Sequence, residues 1–136
     1  MNTAHTDDAG KLLIRATLAI LILFHGFAKL SHGAGFINGM LEGIGLPAVL
    51  GNLVYVGEVV APLLVLAGFW TRPAALVIAV NMVVAILLVH LKDLTQLSGT
   101  GGWALELQGL FLAAAVSVAL LGAGKFSLGG VNGKWN

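Results

Sequence analysis

The stretch 50–69, LGNLVYVGEVVAPLLVLAGF, decides the fold. It runs for twenty residues with a single charge, Glu58. At 1.5 Å rise per residue, about twenty apolar residues cross a ~30 Å hydrocarbon core. Three more stretches of the same kind surround it, at Leu12–Leu30, Pro73–Leu91 and Trp103–Gly122. Together they predict an all-α membrane protein, a four-transmembrane-helix antiparallel bundle forming a single integral domain over 1–136. Composition agrees: 58% of the residues are hydrophobic and 10% charged, with a mean hydropathy of +0.97. Such values lie outside the soluble range.

Each stretch also holds a side chain that hydrocarbon should exclude. These are His25 and Lys29 in the first, Glu58 in the second, His90 in the third and Glu106 in the fourth. Ionisable groups in such spans are costly, turn towards the bundle interior and mark functional sites by default.

Net charge is +1, which leaves neither a nucleic-acid footprint nor an acidic tail. Cysteine is absent, which excludes thiolate nucleophiles, zinc thiolates and iron–sulfur ligation by this chain. The polar start, Met1–Gly10, has no basic run and the first apolar stretch no small-residue cleavage site, so an uncleaved first span is expected.

Orientation follows from Lys and Arg. Lys11, Arg15, Arg72, Lys125 and Lys134 fall on the side of the termini, and Lys29 and Lys92 on the other. Five against two predicts cytoplasmic termini in a bacterial inner membrane. Counted from that side at 1.5 Å per residue, His25 lies at ~20 Å, Glu58 at ~17 Å, His90 at ~25 Å, Glu106 at ~23 Å and Lys29 at ~26 Å. All five fall in the outer half, so they are expected to converge. Asn81, nine residues before His90, is half a helical turn away from it and is expected outside that cluster.

Two features bear on the cluster. Pro62 leaves the carbonyl four residues earlier without its helical donor, and that residue is Glu58. The turn is either a simple kink or one that offers a carboxyl and a free carbonyl together. Between the first two spans, Phe36, Ile37, Met40, Leu41 and Ile44 recur at near-helical spacing. This segment, about 35–46, is too short to span and reads as an interfacial or re-entrant helix over the cluster's mouth.

Several short motifs, in order along nearly the whole chain, resemble the DoxX family. They are HGFAKL at 25–30, GIGLP at 43–47, Glu58 with LLVLAGFWTRPAAL at 63–76, His90, GWALE at 102–106 and GAGKFSL at 122–128. The resemblance implies a small four-helix bacterial inner-membrane protein. It also implies a link to a quinone-linked oxidoreductase, from one of whose subunits the family takes its name. Where family members commonly have an Asp after the Ser-Leu of the tail, this chain has Gly129.

Two His, two Glu and a Lys at one depth suit hydrogen bonding to a quinone headgroup or a proton relay. His titrates near neutrality and a buried Glu is pushed towards it. Hence His25, Glu58, His90 and Glu106 are the expected relay or headgroup residues, with Lys29 beside them as a binding group. The readings left open are a quinone-binding redox subunit, a proton-coupled carrier, and a structural subunit with Lys29 in a buried ion pair. Haem ligation by His25 and His90 is a fourth idea without a spacing signature. Expected partners are membrane lipid and either a redox protein or further copies of the chain, but no nucleic acid.

Overall fold

The computed structural model describes residues 3–136, and Met1 and Asn2, part of the polar start, lie outside the described residues. Among those residues the regular structure is helical, apart from one isolated bridge between Leu97 and Trp103. Three helices are long and apolar enough to cross a membrane. These are α1 (Thr3–His32), a composite second helix (Ala48–Ala67) ending in α3 (Ala61–Ala67), and α4 (Thr71–Val89). A fourth apolar helix, α5 (Glu106–Leu121), has 16 residues, about 24 Å. The short α2 (Gly35–Gly43) follows α1.

The start of α5 corrects the expected boundary at Trp103. The backbone from Gln96 to Ala104 folds on itself, with Ser98 N–H donating to Gly102 O at 2.7 Å and Ala104 N–H to Gln96 O at 3.0 Å. Those groups are thereby unavailable to a helix, and the helical ladder begins only at Glu106. The Glu106 carboxylate reaches back to accept Trp103 N–H at 3.0 Å. That contact resembles the reach-back half of a capping box, at a helix end that favours negative charge.

The long helices form a ring in which α1 and α4 each touch both the second helix and α5. The half of the ring nearer the termini is filled. Leu18, Ala19, Ile22, Ala61, Val65, Ala75, Ile78, Ala115 and Val118 pack there, and alanines let the backbones approach. Burying a polar group in such a core is costly unless it is hydrogen-bonded, and Arg15 meets that condition. It is 2% exposed. Its guanidinium donates to the carbonyls of Val65 at 2.8 Å and Leu66 at 2.6 Å, and to that of Phe126. The first two are end carbonyls of α3; Val65 O also accepts the cap N–H of Gly68 at 3.1 Å, and the guanidinium adds a second donor there.

Arg72 does the same for α5, donating to Ala119 O at 2.8 Å and Leu120 O at 2.7 Å. The tail then folds across these ends. Thr71 Oγ1 donates to Asn136 Oδ1 at 2.8 Å, and the Asn136 amide donates to Gly130 O at 2.9 Å. Lys125 N–H meets Asp8 Oδ1 at 3.0 Å, tying the tail to the first turns of α1. The termini therefore share one end of the bundle, and α2 and the 91–105 connection share the other.

Candidate functional site

The second helix is irregular where Glu58 sits. It opens as a 3-10 turn (Ala48–Leu53), continues as a π-helix (Val56–Val60) and becomes α-helical only at Ala61. Pro62 explains the change, because it has no N–H for the carbonyl of residue 58. The ladder widens ahead of it, and Ala61 N–H bonds to Val56 O, five residues back. Single π turns of this kind recur at functional sites.

Glu58 points inward and is 5% exposed. Its Oε2 lies 2.6 Å from Lys29 Nζ, and its Oε1 accepts Asn81 Nδ2 at 3.3 Å. Two glycines bring these three residues within reach. A Cβ on Gly26 would stand 2.7 Å from Val59 Cγ2 and 2.8 Å from the Glu58 carbonyl carbon, and closer still to its oxygen. A Cβ on Gly57 would stand 2.5 Å from Asn81 Cγ. Tyr55 holds the end of α1 in register by donating its hydroxyl to Lys29 O at 3.1 Å.

This trio forms one wall of a cavity of about 620 Å³ in the half of the bundle away from the termini. Ile22, Met82 and Phe111 line its side towards the packed core, and Phe36, Ile37 and Leu41 of α2 line it from the other end. His25 lines it too, its ring edge-on to Phe111 with centroids 5.8 Å apart. So does His90, which follows the last residue of α4. His90 Nδ1 lies 3.1 Å from Asp93 Oδ2, and its Nε2 lies 3.3 Å from Gln108 Nε2. The consistent assignment has Nδ1–H donating to Asp93 and Nε2 accepting from the Gln108 amide.

Of the five residues expected to converge, His25, Lys29, Glu58 and His90 line this cavity. Glu106 does not. It is exposed, and its carboxylate is spent on Trp103 N–H at the start of α5. Asn81 departs in the opposite sense: expected outside the cluster, it hydrogen-bonds its central carboxylate. Counting from His90 misled because His90 bonds Asp93 and Gln108 and not Glu58, so its direction does not mark the carboxylate's. Gln108 was also missed. It lies in the first turn of α5, where a start at Trp103 would have given no reason to look.

Chemically, the wall offers donors (the Lys29 ammonium and the Asn81 and Gln108 amides), one buried carboxylate and two imidazoles, set in an otherwise apolar chamber. Its volume falls within the ~300–1,000 Å³ of ordinary small-molecule pockets, which are likewise apolar with a few converging polar groups.

Comparison with known proteins places the chain. It is 31% identical over 85 residues to the Bacillus subtilis protein named "Putative oxidoreductase CatD", covering 62% of this chain. The chain spans 63% of that relative's length. It is 32% identical over 130 residues to "Uncharacterized membrane protein Rv3486" of Mycobacterium tuberculosis, covering 92% of this chain and 77% of the relative. No solved structure matches the chain. The DoxX family profile matches residues 10–91, a range that contains His25, Lys29, Glu58, Asn81 and His90. With apolar helices of spanning length and a relative described as a membrane protein, this chain belongs to the DoxX family and is a membrane protein in contact with lipid.

Proposed function

We propose that the chain is a membrane subunit serving a quinone-linked oxidoreductase, and that its cavity receives the quinone headgroup against Lys29, Glu58 and Asn81. One observation carries this reading: a buried carboxylate, an ammonium and an amide meet on the wall of an apolar chamber of about 620 Å³. The name of the Bacillus subtilis relative supports an oxidoreductase setting. In the full reading the chain is a single domain of four spans in a bacterial inner membrane. Its termini are cytoplasmic, and the cavity lies in the outer half.

The headgroup fits the donor set. Quinone carbonyl oxygens accept hydrogen bonds, which Lys29 Nζ and Asn81 Nδ2 can donate. The hydroxyls of the reduced form donate instead, and Glu58 accepts. Interconverting the two forms moves two electrons and two protons. The electrons travel to or from a redox partner. Protons are exchanged by Glu58 and the two imidazoles, which line the same cavity. Glu106, although expected in the relay, stands apart from it and is given no role.

The proton-coupled carrier has less support, because beyond Ile22, Met82 and Phe111 the interior is filled by packed side chains. A purely structural ion pair draws on the 2.6 Å contact between Lys29 and Glu58. The deciding experiment reconstitutes the purified protein in nanodiscs, supplies ubiquinone and measures bound quinone after washing. Wild type should retain it, and Glu58→Gln and Lys29→Met should lose it while still folded. Gln keeps the volume of Glu but cannot carry its charge or donate a carboxyl proton. Equal retention by wild type and both variants would leave the structural reading.

A further inference from the structure

The cavity is not closed on all sides. Several of its lining residues are also on the outer surface: Leu53 is 61% exposed, Val56 43%, Val80 63% and Val84 44%. All four belong to the second helix and α4; Phe36 of α2 and Leu107 of α5 are exposed lining residues as well, so the cavity opens on more than one side, and one of its openings lies between the second helix and α4. The exposed residues on that side are apolar. A second, smaller hollow of about 140 Å³ continues from it, sharing Val56 and Val77 and running past Leu64 to Pro73 and Trp70. Its lining is apolar throughout. From Val84 to Pro73 the two hollows follow α4 for eleven residues, about 16 Å. Water is a poor occupant of such a track, which offers it no partners. An apolar chain fills it well.

The polar wall restricts what the chain is attached to. Lys29 already faces Glu58 at 2.6 Å, and together they present no net charge. An anionic headgroup would have to displace that carboxylate from the ammonium or sit beside it, and both are costly in low dielectric. A cation meets Lys29. An uncharged headgroup with oxygen acceptors meets neither obstacle and finds two donors.

We propose that the site takes a membrane-dissolved lipid with an uncharged headgroup, which slides in between the second helix and α4. Its single apolar tail lies along the Val84–Val77–Pro73 track. This rests on the headgroup reading above and adds the route, the tail site and the selection by charge. The ligand is taken from the bilayer and not from water.

The test uses decylubiquinone with a diazirine at the tail end, with the full chain in phosphatidylethanolamine/phosphatidylglycerol nanodiscs. After photolysis, labelled residues are mapped by mass spectrometry. Labelling should concentrate between residues 60 and 77, and excess ubiquinone-0, which has the headgroup without the tail, should compete it away. Val77→Trp fills the track from its lipid-facing side. It should lower that labelling about tenfold, as expected when a tail loses its apolar burial, and an unchanged melting temperature would show that it still folds. Label that ubiquinone-0 competes away but that lies on the outer face of α1, at Phe24 or Phe27, would overturn the tail site and leave the headgroup reading standing. Label that ubiquinone-0 does not compete would overturn the headgroup reading and this inference with it. Oleate competing as well as the quinone would overturn the selection by charge.

Discussion

Replacing Gly26 by Ala isolates the contact on which the polar wall depends. The new Cβ would lie 2.7 Å from Val59 Cγ2 and 2.8 Å from the Glu58 carbonyl carbon. Carbon atoms in ordinary contact sit about 3.5–4.0 Å apart, so α1 and the second helix must part by about 1 Å. The Val59 side chain can turn away, but the Glu58 backbone cannot. Overpacking of this kind costs about 1–3 kcal/mol. The same parting stretches the Lys29–Glu58 contact from 2.6 Å towards the limit of a hydrogen bond, with the flexible Lys stem taking up part of it. Gly10→Ala is the matched control: it lies in the same helix with nothing near its Cβ position. Each substitution gains about 0.5–1 kcal/mol of backbone entropy in a helix. The difference between the two variants is therefore the packing cost alone, about 1–3 kcal/mol. Unfolding by SDS titration in mixed micelles, followed by circular dichroism, reads it directly. If Gly26→Ala gains as much stability as Gly10→Ala, the close approach is wrong, and with it the argument that a glycine sets the position of Glu58.

Three further outcomes are expected. Arg15→Met keeps the apolar stem but removes the side-chain donor from the carbonyls of Val65, Leu66 and Phe126, of which Val65 keeps the Gly68 N–H; loss of stability by about 2–5 kcal/mol is expected in the same SDS titration. Lys29→Met with Glu58→Met should be more stable than either single variant, because one partner alone leaves a charge unmatched. The double variant should nevertheless bind no quinone, and retained binding would remove the pair from the site. The chain has no cysteine, so single cysteines report orientation cleanly. Cysteine at Ser31 or Ser98 should react with an impermeant thiol reagent added to intact cells, with any outer membrane permeabilised, and cysteine at Asn132 should not; the reverse pattern would turn the map over.

Much of the site was legible because hydrophobicity is a coarse, long-range signal. In a run of apolar residues an ionisable side chain is conspicuous, and counting residues along α1 and the second helix was enough to bring His25, Lys29 and Glu58 to one level. Pro62 announced the irregularity beside Glu58, though not its π form, which depends on where the displaced hydrogen bonds settle. What failed was inference from helical phase near helix ends. Whether Glu106 is the fourth residue of a helix or its first depends on the hydrogen bonds of Gln96–Ala104, which no periodicity encodes. Asn81 was misjudged by phasing it against His90, whose side chain bonds Asp93 and Gln108 and does not mark the direction of Glu58. Its true phase marker was Gly57, a small residue on the facing helix that makes room for the amide. Complementarity between helices decides such cases, and it is not visible one helix at a time.

The division of the bundle into a filled half and a hollow half has a bearing on how such proteins diversify. In the filled half, alanine backbones touch, and Arg15 and Arg72 bind carbonyls that any sequence would supply. Substitution there disturbs the architecture itself. In the hollow half, apart from the close approaches at Gly26 and Gly57, the wall is made of side-chain termini around a cavity, so one of these can be exchanged without moving a helix. Mutational tolerance is thus expected to differ along the bundle axis: substitutions in the filled half cost the scaffold, and those at the cavity wall change what the cavity can hold.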